Sequence, residues 1–278
     1  MSIHPQQSQK IAIVMVWTAS LLTLIVLSFI IFYILRAGLP VINLRFLIDS
    51  PRKLGREGGI FPTIIGTLIL AAAAIAIAAP LGVGTAIYLV EYTRESKITA
   101  AIRFGTECLA GVPSIIFGLF GFAFFVVYLH LGWSILSGGF TLAFMILPTI
   151  IRTSEEALKA VPRVHREVSF SLGGTKWQTI SRAILPSAWS GIATGIILSI
   201  GRSVSETAAV ILTAGTSLRL PTSLFSPTRT MAVHFYILAR EGISLKIAYG
   251  TGAVLIVIIL IINLIANHIS RRLAIIRK

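Results

Sequence analysis

The chain has 278 residues, of which 55% are hydrophobic and only 12% are charged, and its net charge is +14. The excess of apolar residues excludes an intrinsically disordered chain, and a mean hydropathy of +0.90 excludes a soluble nucleic-acid-binding protein as the source of the basic charge. The single cysteine, Cys108, excludes an internal disulfide and a cysteine-rich metal site. The composition therefore indicates a protein that crosses a membrane several times, contacts membrane lipid and binds no nucleic acid.

Six apolar stretches are long enough to cross a bilayer, which requires roughly 20 residues for ~30 Å of hydrocarbon. The first continues directly into Arg36 without a small-residue cleavage site, which favours a permanent anchor over a signal peptide. Pro80 predicts a kink near the end of the second, and a glycine-rich segment (residues 131–139) separates the third from the fourth. The sequence predicts a cytoplasmic N-terminus (residues 1–10) and a single transmembrane domain (residues 11–278). The predicted spans are about residues 11–35, 60–90, 105–130, 133–151, 189–215 and 247–270.

The distribution of Lys and Arg favours cytoplasmic termini. Six spans place both termini on the same side, and with that side inside, fourteen positive residues lie in cytoplasmic segments and nine in outer loops. The remaining one, Arg202, lies within the fifth span. The nine outer charges either attract an anion or an acidic binding protein, or are ordinary solvated loop residues.

Arg202 and Glu206 are ionisable residues inside a predicted span, which makes them candidates for a functional site. Their spacing of four residues predicts that they share one helix face. One interpretation is a structural ion pair that neutralises itself. The other is a substrate pathway, in which Arg202 binds a passing anion and gives up its ion pair with Glu206 when the anion arrives. Arg152, at the cytoplasmic end of the fourth span, either receives an exiting anion or anchors the helix end to lipid headgroups.

A long amphipathic segment, about residues 152–188, separates the fourth and fifth spans. Pro162 divides it into two short helical pieces, and Gly173 with Gly174 has the form of a helix C-terminal cap, because glycine adopts left-handed backbone geometry at little cost. The pattern by itself is equally compatible with a docking element for a soluble partner and with an ordinary connector at the membrane surface.

Four residues of this segment carry a resemblance to a known loop. The stretch Glu167-Val-Ser-x3-Gly173-x9-Ala-Ile-Leu185-Pro186 resembles the EAA loop of ABC importer permeases, which has the pattern E-A-A-x3-G-x9-I-x-L-P. Glu167, Gly173, Leu185 and Pro186 match at the same spacing, whereas both alanines and the isoleucine are replaced. The resemblance implies that the loop is cytoplasmic and forms a coupling helix that fits a cleft on an ATPase subunit, with these four residues in the ATPase-coupling role.

Three further stretches are similar to phosphate-specific (Pst) permeases. They are Leu109–Gly121, the run Arg152-Thr-Ser-Glu-Glu-Ala-Leu158 and the run Gly201-Arg-Ser-Val-Ser-Glu-Thr207. The Arg-Thr-x-Glu-Glu-Ala-Leu run and the Glu-Thr-Ala…Thr-Ala-Gly sequence that ends at Gly215 resemble the A-type subunit more than its C-type partner. In that family a Gly-Glu-Thr sequence is common where this chain has Ser205 before Glu206. This departure affects the packing of the helix more than its charge.

The resemblance implies a fold, a function and a set of partners. The implied fold is all-α, with six transmembrane helices in the type I ABC importer permease (MetI-like) arrangement, in the plasma membrane of a prokaryote. The implied function is the permease subunit of an ATP-driven importer of inorganic phosphate, and the resemblance favours Arg202 as a residue that contacts the anion. The predicted substrate pathway comprises Arg202, Glu206 and Arg152. The implied partners are a second, C-type permease subunit in a heterodimer, a dimer of cytoplasmic ATP-binding subunits and an extracytoplasmic phosphate-binding protein.

The sequence predicts that the chain is not an enzyme. It lacks a G-x4-G-K-[ST] phosphate-binding loop, so ATP hydrolysis is assigned to a partner subunit. Its five histidines are scattered without metal-ligand spacing, and no catalytic residue, metal or cofactor is predicted. Two alternatives stay open: an ABC permease for another oxyanion, such as sulfate, molybdate or phosphonate, and an anion channel that needs no ATPase.

Overall fold

The computed structural model describes residues 5–93 and 96–275. The first four residues of the predicted N-terminal segment and the last three residues of the chain lie outside the described residues. Within the described part the chain is helical except for short connections, one small hairpin and an irregular segment at residues 214–230. The predicted all-α class is therefore confirmed.

The first half of the chain forms two long helices, a hairpin and a bent helix pair. Its helices and strands are α1 (Pro5–Gly38), α2 (Leu44–Ile48), β1 (Pro51–Arg52), β2 (Glu57–Gly58), α3 (Phe61–Ile87), α4 (Lys97–Ala110) and α5 (Ser114–Gly121). The two strands pair antiparallel, with Pro51 opposite Gly58. A wide π-helical turn continues α3 through Tyr88–Tyr92, and another continues α5 through Phe122–Tyr128.

The second half forms three long helices that are connected by short helices. Its helices are α6 (Ile135–Lys159), α7 (Arg163–Ser171), α8 (Lys176–Thr179), α9 (Leu185–Ser205), α10 (Ala208–Thr213), α11 (Met231–Arg240) and α12 (Leu245–Ile275). A π-helical turn, Ile180–Ile184, joins α8 and α9 into one continuous helix. Ser134, Thr175 and Thr230 each accept a hydrogen bond from a first-turn amide of the helix that follows, as N-cap residues do.

Five helices in the described part are long and apolar enough to cross a membrane: α1, α3, α6, the continuous α8–α9 helix and α12. The pair α4 and α5 reaches this length only together, and its two members are bent by 103°. The predicted third span (105–130) is therefore wrong as one straight helix. Pro113 explains the break, because it precedes α5 in an extended conformation and cannot continue α4. The chain is a multi-pass membrane protein, and its described residues contain five candidate spans, or six when the bent pair counts as one.

Two other helix bounds also differ from the sequence prediction. The fourth span is predicted at 133–151, but α6 continues to Lys159, because ion pairs between residues four apart support its last turns. The fifth span is predicted at 189–215, but the continuous helix begins at Lys176 and ends at Ser205. The chain then starts the separate helix α10, whose first turn is capped by the carboxylate of Glu206.

The bundle is built around α3, α6 and α9. Leu70 of α3 and Ile146 of α6 are fully buried in the central apolar core. A second apolar cluster, which includes Ala86, Leu158 and Ile192, joins the same three helices at the end of the bundle that carries α7. We call this end the loop end and the opposite end, which carries the hairpin, the far end.

Glycine allows α3 and α6 to approach closely at Gly82, where a Cβ atom would lie 2.7 Å from Cγ2 of Ile150. We expect Gly82→Val to destabilise the fold by about 1–3 kcal/mol, because the added side chain overpacks this contact. Thermal unfolding of the detergent-purified protein measures the change. Gly84→Val, two residues further along the same helix, is the matched control because nothing lies within 4 Å of a Cβ there. Equal destabilisation by both variants would contradict the packing argument.

The first helix, α1, lies at the periphery of the bundle. None of its most apolar 18-residue window is buried. It contacts α12 near its C-terminal end, where the rings of Tyr33 and Tyr249 pack edge to face with centroids 5.7 Å apart. Its long exposed apolar surface requires lipid or another subunit as its surroundings.

Candidate functional site

The segment that joins α6 to α9 at the loop end, which carries the EAA-like motif, presents apolar side chains to solvent. α7 begins directly after Pro162, and none of its residues is buried. Its apolar side chains, together with the leucine that follows, are each at least 50% exposed: Val164, Val168, Phe170 and Leu172. An exposed apolar surface on a short polar segment is typical of a site that a protein partner covers.

Gly173 ends α7 in the left-handed conformation, with φ at +77°. Its amide donates to the carbonyl of Phe170 at 2.9 Å, and the amide of Gly174 donates to the carbonyl of Ser169 at 3.0 Å. This is the glycine cap that the sequence predicts. No atom lies within 4 Å of a Cβ built on Gly173, so the backbone conformation, rather than close packing, requires glycine here.

The four residues of the EAA-like motif lie in two environments. Glu167 is exposed on α7 and forms no ion pair within the described residues. Leu185 packs against the apolar cluster of the loop end, and Pro186 lies in the first turn of α9. The structure therefore places Glu167 and Gly173 on the accessible surface, and Leu185 and Pro186 at the base of a spanning helix.

Two residues that the sequence interpretation missed join this surface to α3. Glu91 lies in the wide turn at the end of α3, and Arg166 lies on α7. The guanidinium of Arg166 approaches the carboxylate of Glu91 to 2.7 Å through Nη2 and 3.2 Å through Nε. The two residues are 75 positions apart in the chain, and no local motif in a single sequence indicates that they meet.

Arg152 lines a cavity of about 230 Å³ between α4 and α6 at the loop end. Its Nε lies 3.3 Å from Oε1 of Glu156, and both side chains are exposed. In the same cavity Glu155 bridges Arg103 at 2.8 Å and Lys159 at 2.6 Å. The site combines three basic side chains with carboxylates, so its positive charge is partly neutralised.

Arg202 and Glu206 lie on either side of a break in the spanning helix. α9 ends at Ser205, and Glu206 has an extended backbone. Its carboxylate accepts a hydrogen bond from the amide of Ala209 at 3.4 Å. No ion pair joins Arg202 to Glu206 in the described residues, and the helix ends between them, so the two do not lie on one continuous helix face. Arg202 is exposed on the last turn of α9.

A cavity of about 490 Å³ lies beside this break. Its polar lining comes from Ser205 and Thr207, which flank Glu206, and from Tyr236 and Arg240 of α11. The guanidinium of Arg240 donates to the hydroxyl of Tyr236 at 3.0 Å. The break in the helix therefore places a few polar side chains in a mostly apolar cavity, three residues along the chain from Arg202.

Arg229 and His234 lie at the far end, outside the long spanning helices, and both are buried. Nε of Arg229 donates to the carbonyl of Thr216 at 2.9 Å, and its Nη1 lies 3.4 Å from Nδ1 of His234. Burial lowers the pKa of Arg229. Burial and the charge of Arg229 lower the pKa of His234 to about 3, so this imidazole is neutral at neutral pH. Arg229, one of the nine predicted outer charges, is thus buried, unlike the solvated or anion-attracting residue that the sequence suggests.

Several helices long and apolar enough to cross a membrane, with an exposed apolar segment at one end, define a multi-pass membrane protein. The sequence profile of the family described as "Binding-protein-dependent transport system inner membrane component" matches residues 78–275. The chain belongs to this family.

Individual relatives are similar over most of their length. The chain is 33% identical over 254 residues to "Probable ABC transporter permease protein YqgI" of Bacillus subtilis (strain 168), with 86% of each chain covered. It is 37% identical over 217 residues to "Phosphate transport system permease protein PstA 1" of Mycobacterium tuberculosis (strain ATCC 25618 / H37Rv), covering 76% of this chain and 70% of the relative. It is 31% identical over 245 residues to "Phosphate transport system permease protein PstA" of Pasteurella multocida (strain Pm70), covering 87% and 86%. The chain is accordingly a transport subunit and not itself an enzyme.

Solved structures of ABC transporters have the same fold. An inward-facing structure of the MetNI methionine ABC transporter has a TM-score of 0.61 at 17% identity, covering 77% of this chain and 94% of that chain. A bacterial ABC transporter involved in the import of the acidic polysaccharide alginate has a TM-score of 0.56 at 19% identity, covering 92% and 97%. The predicted MetI-like fold of ABC importer permeases is confirmed.

Proposed function

We propose that the chain is the transmembrane permease subunit of an ATP-driven importer of inorganic phosphate. Two of the relatives described above are phosphate transport permeases by name. The observation that carries the proposal is Arg202, which is exposed at the end of a spanning helix and has no carboxylate partner among the described residues. A guanidinium stays charged in surroundings of low polarity and binds phosphate oxygens through a fork of N–H donors.

The exposed side of α9 lines the substrate pathway in this proposal, together with a second, C-type permease subunit. Arg202 binds the anion directly. Because Glu206 caps α10 instead of pairing with Arg202, no carboxylate has to be displaced before the anion binds. Glu206 therefore acts by shaping the cavity beside the break. Arg152 receives the anion at the loop end, where its exposure to solvent favours release.

The loop end and both termini face the cytoplasm of a prokaryote in this proposal, and the far end faces the extracytoplasmic phosphate-binding protein. α7 fits a cleft on a dimer of ATP-binding subunits, with Glu167 and Gly173 at the contact and Leu185 and Pro186 joining it to α9. Closure of the ATP-binding subunits moves α7, and the helices that flank it, α6 and α9, tilt and switch the side from which the pathway is open.

Co-purification of the whole complex and anion competition test the function. We expect phosphate to stimulate ATP hydrolysis when the binding protein is present, and ATP-dependent uptake of labelled phosphate to resist excess sulfate, molybdate or phosphonate. Strong competition by one of those anions would instead assign the permease to that oxyanion. Phosphate flux without ATP would assign the chain to a channel.

A further inference from the structure

We propose that Glu91 and Arg166 are positioning residues that transmit the movement of the coupling helix α7 to α3. α3 is a spanning helix to which α7 has no direct covalent connection. The other links of α7 lead to α6 and to the α8–α9 helix: it is joined to both through the chain, and the hydroxyls of Ser169 on α7 and Thr179 on α8 lie 2.8 Å apart. The inference rests on the ATP coupling proposed above and adds α3 to the helices that the ATPase moves.

The guanidinium of Arg166 joins α7 to two other elements at once. Besides the carboxylate of Glu91, it binds the end of α6, because Nη1 donates to the carbonyl of Val161 at 2.9 Å and Nη2 to the carbonyl of Leu158 at 3.1 Å. The side chain of Glu91 is 9% exposed and that of Arg166 is 20% exposed. A two-point contact between an Arg and a carboxylate fixes orientation as well as distance, and a partly buried pair is screened less by salt than an exposed one.

The other ion pairs of the described residues do not connect α7 to a spanning helix. Two of them are exposed and local, joining residues four apart in the chain. Glu155 accounts for the rest, within α6 and between α6 and α4. These other pairs are Lys53–Glu57, Arg152–Glu156, Arg103–Glu155 and Lys159–Glu155. The pair between Glu91 and Arg166 is therefore placed where a movement of the coupling helix would act on it.

A second contact at the end of α3 supports the same inference. Nζ of Lys176, the first residue of α8, lies 4.9 Å from the ring centre of Tyr92, which is consistent with a cation–π interaction. Tyr92 follows Glu91 in the same wide turn. The end of α3 is thus held by α7 through one residue and by α8 through the next, so it contacts the coupling segment on both sides of the Gly173 cap.

The packing behind these contacts is suited to transmit a displacement. Ala86 of α3, Leu158 of α6 and Ile192 of α9 are all 0% exposed in the apolar cluster of the loop end. A close-packed cluster shifts as a unit because it has little free volume to absorb a movement. A displacement that enters at Glu91 consequently moves α3 together with α6 and α9.

The quantity to measure is the number of ATP molecules hydrolysed per anion imported, in the assembled complex of permeases, ATPase and binding protein. Glu91→Gln keeps the size of the side chain and removes its charge. We expect the number of ATP molecules hydrolysed per anion imported to rise about tenfold, while ATP hydrolysis itself changes less than about twofold. A merely structural role would lower both activities together and leave their ratio unchanged. Lys97→Gln is the matched control, because it removes an exposed positive charge at the loop end that forms no ion pair in the described residues.

A covalent replacement of the ion pair tests the same link when the charge variants assemble poorly. Glu91→Cys and Arg166→Cys are combined in a Cys108→Ser background, and the two thiols are joined by a short bis-maleimide. We expect the joined complex to recover most of the coupling that the unjoined one lacks. A wild-type ratio in Glu91→Gln, or no recovery on joining, would overturn the link alone. A wild-type complex without ATP-dependent uptake would overturn the proposed function and the link with it.

Discussion

Arg202→Gln is expected to reduce phosphate uptake by about 100-fold, because removing one partner of a hydrogen-bonded charge pair typically costs that much affinity. Glutamine keeps part of the length and hydrogen-bonding capacity of the side chain but not its charge. Arg202→Lys should retain more uptake than the glutamine variant, since it keeps the charge but loses the fork of donors. Labelled phosphate uptake at matched expression measures both variants.

Arg182→Gln is the matched control for Arg202. Arg182 lies on the same continuous helix but at the loop end, where it is exposed and forms no ion pair in the described residues. It should leave uptake within about twofold of wild type, as expected for a solvated surface charge. Full uptake by Arg202→Gln, with the complex assembled, would remove Arg202 from the pathway and with it the main support for an anion substrate.

Gly173→Val is expected to lower the affinity of the permease for its ATPase subunit about tenfold or more. A residue with a Cβ pays about 1–2 kcal/mol in the left-handed conformation, and a β-branched one pays more. The cap at the end of α7 would therefore open and misplace the segment that docks. Binding of the purified ATPase to the permease, together with phosphate uptake, measures the effect.

Gly173→Asn is the control for this substitution, because asparagine tolerates the left-handed region far better than valine does. It should retain most of the binding, since nothing lies within 4 Å of a Cβ at this position. Equal loss in both variants would show that the absence of a side chain, rather than the backbone conformation, is what the partner recognises.

The parts of the structure that depend on local composition could be predicted from the sequence. Long uncharged runs predict spanning helices, because a segment in hydrocarbon must pair its own backbone N–H and C=O groups, and a helix does so. The glycine pair between Glu167 and Pro186 correctly predicted the cap of α7, whereas the ATPase-coupling role of this motif stays a prediction. These features are encoded within a few neighbouring residues, so one sequence is sufficient to find them.

The parts that depend on distant contacts could not be predicted. The break after Ser205 carries neither glycine nor proline, so the four-residue spacing of Arg202 and Glu206 indicated a continuous helix. Beyond the break the carboxylate of Glu206 accepts a hydrogen bond from the amide of Ala209, a contact that the apolar pattern does not show. The contact between Glu91 and Arg166 depends on the packing of α3 against the coupling segment, and it leaves no mark in the pattern around either residue.

The wide turns at the loop end have a consequence for helix phase. A π-helical turn contains about one residue more than an α-helical turn, so it rotates every later side chain by roughly 100° about the helix axis. Glu91 lies inside such a turn at the end of α3. Inserting or deleting one residue there would change which neighbour meets the carboxylate, while the apolar length of α3 would stay almost the same. An insertion or deletion of one residue can therefore redirect the contact between α7 and the bundle without altering how the protein sits in the membrane.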